Sequence, residues 1–189
     1  MEGKTPGMKR VVLNTILWCV VFLLLISVPW KVVWRKAWQA FGMYKGVVFM
    51  SDLSMQAASQ DIGVLQRDRN FLGKTISLTG KKYSRGLGTH ANSEIVYELD
   101  KKYSCFKADI GIDDTEGPNH PGSVVFKVFV DGEKAYESPV MRWDSAPMQI
   151  KIDVDDKQEL KLIVTDAGDN INNDQAVWAD AKLCIKPCK

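Results

Sequence analysis

The sequence predicts an all-β sandwich preceded by a single transmembrane α-helix. Three observations carry that prediction: one long uncharged apolar stretch near the N-terminus, a change to period-two alternation after Lys45, and turn residues spaced between the alternating runs. With 189 residues, 46% hydrophobic and 25% charged, the chain is composed like one folded domain plus an extra segment. A formal charge of +2 with no basic tract excludes nucleic acid as the expected partner.

The first element is the helix. Residues 11–30 (VVLNTILWCVVFLLLISVPW) contain no charge, and a helix of that length is about 30 Å long, the thickness of a bilayer core. Lys9 and Arg10 precede it, and Trp30, Lys31, Trp34, Arg35, Lys36 and Trp38 follow, as basic and aromatic side chains do at membrane interfaces. The alternative is a cleaved signal peptide, but the apolar run exceeds the usual signal length and no small-x-small motif follows Ser27, Val28 and Pro29. The expected organisation is a short polar tail (1–10), a transmembrane helix (11–30), an aromatic and basic juxtamembrane segment (31–46) and a β-sandwich (47–189). Basic residues balance across the helix, so the inferred job of the C-terminal module sets the orientation: single-pass, with that module extracytoplasmic, periplasmic or extracellular.

Six strands follow from alternation. Their apolar sets are Ile95, Tyr97 and Leu99; Phe106, Ala108, Ile110 and Ile112; Val124, Phe126, Val128 and Val130; Met148, Ile150, Ile152 and Val154; Leu160, Leu162 and Val164; and Val177, Ala179, Ala181, Leu183 and Ile185. Asp131-Gly132 between two such runs supplies the positive φ of a tight hairpin turn. No helix of useful length is expected within the sandwich. Three polar stretches interrupt the strands, 56–73, 113–122 and 166–176, and loops on a rigid sandwich are where binding residues gather. Of the four cysteines, Cys105 and Cys184 oppose the apolar phase of their strands, so a bridge between sheet neighbours is conceivable; Cys184 with Cys188 is the other pairing, and free thiols the third.

Ser51-Asp52-Leu53, Arg67-Asp68-Arg69, the run GLGTHA at 86–91, Ser93-Glu94-Ile95, Asp113-Asp114, Gly122 to Phe126 and the block VTDAGDNINNDQAVWADA at 164–181 are successive landmarks. In that order they resemble the NPCBM family of carbohydrate-binding modules, over nearly everything after about residue 47. The resemblance implies a jelly-roll-like β-sandwich, a structural calcium ion and recognition of sugars, usually beside a glycoside hydrolase. Three departures stand out: the chain has no room for a hydrolase domain, Gln175 and Val177 replace an expected histidine and acidic residue, and Ile62 stands where the family often has tryptophan.

Sugar recognition needs flat apolar surface and converging polar groups. Trp143 and Trp178 are the platform candidates, and Arg85, His90, Asp113, Asp166, Asp169 and Asn172 the polar ones. Trp178 is equally a core candidate, His90 equally a structural histidine in a Gly-flanked turn, and Asp113 equally part of a solvated turn. Calcium takes six to eight oxygens, and the implied ligands are Asp68, Asn70, Asp180 and the carbonyl of Ala179. The chain has two histidines and no G-x-S-x-G, P-loop or H-E-x-x-H motif, so no enzyme is expected. The expected function is therefore a membrane-anchored, non-catalytic carbohydrate-binding module, with glycan and membrane lipid as partners. The rival is an accessory subunit of a membrane complex that uses the sandwich for contacts with other membrane-protein subunits.

Overall fold

The computed structural model describes residues 46–117, 119 and 121–185. The expected helix at 11–30, its flanks and Cys188 lie outside the described residues. Within them, no helix is long and apolar enough to cross a membrane.

The chain forms β1 (Val47–Phe49), a single 3-10 turn (Met50–Asp52), β2 (Ala57–Gln60), β3 (Gln66–Arg67), β4 (Ile76–Leu78), β5 (Lys81–Tyr83), β6 (Gly86–His90) and β7 (Ser93–Glu98). There follow β8 (Tyr103–Ile112), β9 (Ser123–Val130), β10 (Glu133–Glu137), β11 (Met141–Arg142), β12 (Met148–Asp153), β13 (Glu159–Thr165) and β14 (Gln175–Ile185). One sheet runs β12-β8-β14-β6-β3 with β1 also paired to β14; the other runs β10-β9-β13-β7-β2 with β11 paired to β9. The six strands expected from alternation are β7, β8, β9, β12, β13 and β14. At the β9–β10 turn, Asp131 and Gly132 both adopt positive φ, 50° and 80°, as a tight hairpin turn between right-twisted strands requires.

The inward faces of the two sheets form one core. Phe106, Ile110, Ile150 and Leu183 of the first sheet meet Ile95, Tyr97, Phe126, Val128 and Leu162 of the second. Between them lies Trp178, fully buried, its ring edge-on to Phe126 with centroids 4.9 Å apart and 6.3 Å from Phe106. This corrects its assignment to the sugar site. The physical reason is a bulge: the register of β14 shifts between Ala179 and Lys182, and Asp180 takes φ 50°. One residue is absorbed there, so Ala176 and Trp178 face the core before it and Ala181 and Leu183 after it.

Val177 and Ala179 therefore point out of the sandwich, yet they too are buried. The β4–β5 hairpin lies over them and makes a second small core from Ile76, Leu78 and Tyr83. Strand β14 is apolar on both faces over this stretch, which erases the alternation that sequence reading depends on. Further along, Cys184 stands directly opposite Cys105 of β8 and the two are joined in a disulfide.

Candidate functional site

Four chain segments converge at the end of the sandwich where β6 closes. They are the end of β2 with the following loop, the Ala91-Asn92 turn, the β8–β9 loop and the β13–β14 loop. His90 pairs with Gln175 across the sheet, and Ala91 donates its N–H to the Asp174 carbonyl. The first loop approaches β6 so closely that a Cβ on Gly88 would lie 2.3 Å from the Arg69 carbonyl oxygen. Only glycine permits that crossing.

His90 is buried, with its ring 4.8 Å from that of Phe71. Its Nδ1 lies 2.8 Å from the Ala91 carbonyl oxygen. A carbonyl can only accept, so Nδ1 carries a proton and the contact fixes the ring's orientation. Beside it, Thr89 Oγ1 donates to Gln60 Oε1 at 2.9 Å and Gln60 Nε2 donates to the Ile62 carbonyl at 2.5 Å. Asn92 Nδ2 donates to Asp61, and Asn92 Oδ1 accepts the Asp166 N–H. A cavity of about 270 Å³ lies between Gln60, Asp61 and Asn92 on one side and Glu94, Ile163 and Thr165 on the other; His90 and Thr89 do not line it.

The last loop is held by its acids. Asp169 accepts from Ser123 Oγ at 2.6 Å and from the Asn170 N–H, and the Ser123 hydrogen bond is the main reason its carboxyl lies below the usual carboxylate range. Asp174 is fully buried; its Oδ1 accepts the Ser123 N–H, and Oδ2 has no partner among the described residues. Burial, reinforced by repulsion from Asp169, Asp166 and Glu116, pushes its pKa up to about 7. Asn172 is exposed at the tip. Asp166 Oδ1 caps the Gly168 N–H.

Asp113 reaches the same end but is buried and engaged within the protein. Its two oxygens accept from Asn70 Nδ2, Ser77 N, Thr115 N and Thr115 Oγ1. Oδ1 takes three of these contacts and Oδ2 one, with Thr115 Oγ1 also within reach of Gln175 Oε1, and the residue is 1% exposed. It braces the first loop and the β4–β5 hairpin, which corrects its assignment as a sugar contact.

Arg85 lies apart from these residues. It lies at the other end of β6, ion-paired to Asp52 and Asp68 with its guanidinium 4.7 Å above the Phe49 ring. Asp68 and Asp180 approach this segment from two sides. Asp68 N–H donates to the Gly86 carbonyl while its Oδ1 accepts the Gly86 N–H, and the Asp180 N–H donates to the Arg85 carbonyl. Carboxylates and backbone carbonyls are the ligands calcium takes; here the Asp68 carboxylate contacts this segment, and Asp180 meets it through its backbone. At present Arg85 neutralises Asp68 and Lys182 neutralises Asp180, and among the described residues no group of three His, Cys, Asp or Glu stands ready to hold a metal. Ala179, adjoining Asp180, pairs with Gly86 in the ladder. Asn70 does not join them: it is buried beside Gly88, with Oδ1 accepting the Lys74 N–H and Nδ2 on Asp113.

Compared with known proteins, residues 46–184 match the NPCBM/NEW2 domain. The chain belongs to that family. The NPCBM/NEW2 module resembles a CBM51 from Clostridium perfringens GH95, solved in complex with methyl-galactose: TM-score 0.69 and 38% identity, covering 72% of this chain and 99% of that one. It also resembles the CBM51-2 and INT domains of C. perfringens ZmpB in complex with GlcNAc, with TM-score 0.70 and 37% identity, covering 72% of this chain and 31% of that one. Alpha-1,3-galactosidase B of Akkermansia muciniphila is 34% identical over 130 residues, 67% of this chain. The chain spans 16% of that protein and 8% of a matching protein from Renibacterium salmoninarum.

The NPCBM/NEW2 module thus brings His90, Asp166, Asp169 and Asn172 to one end of the sandwich and leaves Arg85 and Trp178 elsewhere. Gln60, Phe71, Thr89, Asn92 and Asp174 were not foreseen as members of this end. For Gln60 and Thr89 the available signal is that both sit at or next to strand termini flanking the first and second loops; for Asp174 it is an acid immediately before an apolar strand.

Proposed function

We propose that this chain is a non-catalytic glycan-binding module held at a membrane by the 11–30 segment, with its loop end taking a neutral sugar of the galactose or N-acetylglucosamine type in an extracytoplasmic space. The observation that carries the reading is the gathering of Gln60, Asp61, Asn92 and Thr165 around a cavity of about 270 Å³ at the end where His90 and the polar loops meet. Likeness to modules solved with methyl-galactose and with GlcNAc supports the sugar class. The Cys105–Cys184 disulfide supports an oxidising compartment. The uncharged run at 11–30 supports the anchor.

Catalysis is disfavoured by what the acids already do. Asp113 is spent on four donors, Asp174 is buried and Asp169 is tied to Ser123, whereas a glycosidase needs two carboxyls facing each other across the sugar. Calcium at Asp68 and Asp180 belongs to the same reading and has a structural role, joining the first loop to the closing strand.

The test is binding of methyl-galactose and N-acetylglucosamine to the full chain in mild detergent. His90→Ala and Asn172→Ala should each weaken retention at least about tenfold, about 1.4 kcal/mol, with Asn172→Ala leaving thermal stability unchanged. Full retention by both variants would refute the site. Chelation of calcium-loaded protein should lower Tm, and an unmoved Tm would refute the ion. Copurification with a fixed set of membrane proteins and no sugar retention would favour the accessory-subunit reading instead.

A further inference from the structure

The outer face of the first sheet carries a row of like charges that the fold does not need. Lys151 of β12 stands directly opposite Lys107 of β8, and Lys107 directly opposite Lys182 of β14. Opposed residues have Cα atoms about 4.5–5.5 Å apart, and like charges so placed destabilise a sheet. Lys182 is relieved by Asp180. Lys107 and Lys151 make no ion pair with any described residue.

Of the nearby acids, Asp109 and Asp180 are ion-paired to Lys81 and Lys182, whereas Asp153 makes no ion pair with any described residue. Asp109 accepts from Lys81, Tyr83 and Gln149, and Asp153 accepts the Asp155 N–H. Two cavities, of about 260 and 550 Å³, lie along this face, and Lys107 and Lys151 line both. Ligand clefts measure roughly 300–1,000 Å³. Asp109, held by Lys81 and Tyr83 of the β4–β5 hairpin, and Asp180 line the smaller cavity; Asp153, Cys105 and Cys184 line the larger. Lys107 is half-buried between its neighbours and lines both recesses, which suits a chain of sugar rings laid along this face.

We propose that this groove is a second binding site, separate from the loop end, that takes an acidic glycan by its carboxylate or sulfate groups, one such group lying between Lys107 and Lys151. The proposal rests on the reading of the module as a glycan binder but uses different residues. In the larger cavity Lys107 and Lys151 face a single carboxylate, Asp153, and that positive balance in a recess is complementary to an anion, an attraction that falls as salt screens it.

The test uses the full chain in neutral detergent, titrated with a chondroitin sulfate hexasaccharide, a polygalacturonate hexasaccharide and neutral cellohexaose. Wild type should bind at least one acidic oligosaccharide, with affinity falling as salt rises, and bind cellohexaose at least about tenfold more weakly. The double variant K107Q/K151Q should lose that binding about tenfold or more, while methyl-galactose retention at the loop end stays unchanged and His90→Ala leaves acidic binding intact. Removing a repulsive pair should not lower Tm, so loss of binding will not reflect unfolding. Absence of acidic-glycan binding by wild type, or undiminished binding by the double variant, would overturn the proposal. Equal binding of phosphatidylserine in mixed micelles with the same detergent and of the acidic oligosaccharides would overturn its choice of occupant.

Discussion

Asp174 makes stability depend on pH in an unusual direction. An aspartate free in the unfolded chain titrates near 3.8, and burial raises Asp174 to about 7 in the folded protein. Between those values the folded state holds a proton that the unfolded state has released. Stability contributed by protonation is therefore fully present below about pH 4, declines as pH rises toward 7 and is gone above it. A gap of about 3 units at 1.36 kcal/mol per unit gives an order-of-magnitude loss of 4 kcal/mol across that window. Asp169, whose carboxyl is lowered, works the other way: its stabilisation is present above the unfolded value and is lost as pH falls below about 4, outside the window. Urea unfolding followed by tryptophan fluorescence from pH 4.5 to 8.5 reads the slope. Asp174→Asn keeps an oxygen for the Ser123 N–H and removes the titration, so its profile should be nearly flat and should lie above wild type at pH 8. A flat wild-type profile, or parallel profiles for the two proteins, would refute the reasoning.

Three further outcomes follow from the fold. Replacing Cys105 and Cys184 by serine frees a loop of sequence separation 79; chain entropy puts the loss at about 4.5 kcal/mol, and typical disulfides give about 2–4, to be read from the urea midpoint with and without reductant. Asp113→Ala strips the acceptor from Asn70 Nδ2 and from the Ser77 and Thr115 N–H groups, and at about 1–3 kcal/mol per stranded buried donor should cost at least about 2–4 kcal/mol by the same assay. Gly88→Ala forces a methyl against the Arg69 carbonyl and should cost more than about 3 kcal/mol, seen as a fall in Tm.

The long strands were legible because each buries one face over six or more residues, enough for alternation to repeat. Strands of two to five residues, such as β3, β5 and β11, carry too little of the period to register. Trp178 was ambiguous for a specific reason: alternation assumes one wet face, and β14 has none from Ala176 to Ala179, then changes phase at Asp180. At the loop end, position was legible from turn residues, but role was not. Asp113 takes donors from Asn70 and Ser77, 43 and 36 residues away in sequence, and nothing near Asp113 announces them. Thr115 is the exception, since its N–H and hydroxyl both cap Asp113 two residues back, a local pattern that already hints at an occupied carboxylate. Arg85 misled because its partners Phe49 and Asp52 lie on a segment whose return to β14 no local signal records.

Strand β14 also defines how the module carries a mechanical load. It begins at Gln175 opposite His90 and reaches Cys184, which pairs with Val47 of β1, about 30 Å away at roughly 3.3 Å per residue. A sugar gripped at the loop end and a pull on Gly46 would act along the same axis in opposite senses. Because β1 lies antiparallel on β14, that tension loads its three paired residues together in shear instead of peeling them one after another. From β14 the force passes through the Cys184–Cys105 bond to β8, so the first hydrogen bonds to be loaded are backed by a covalent link.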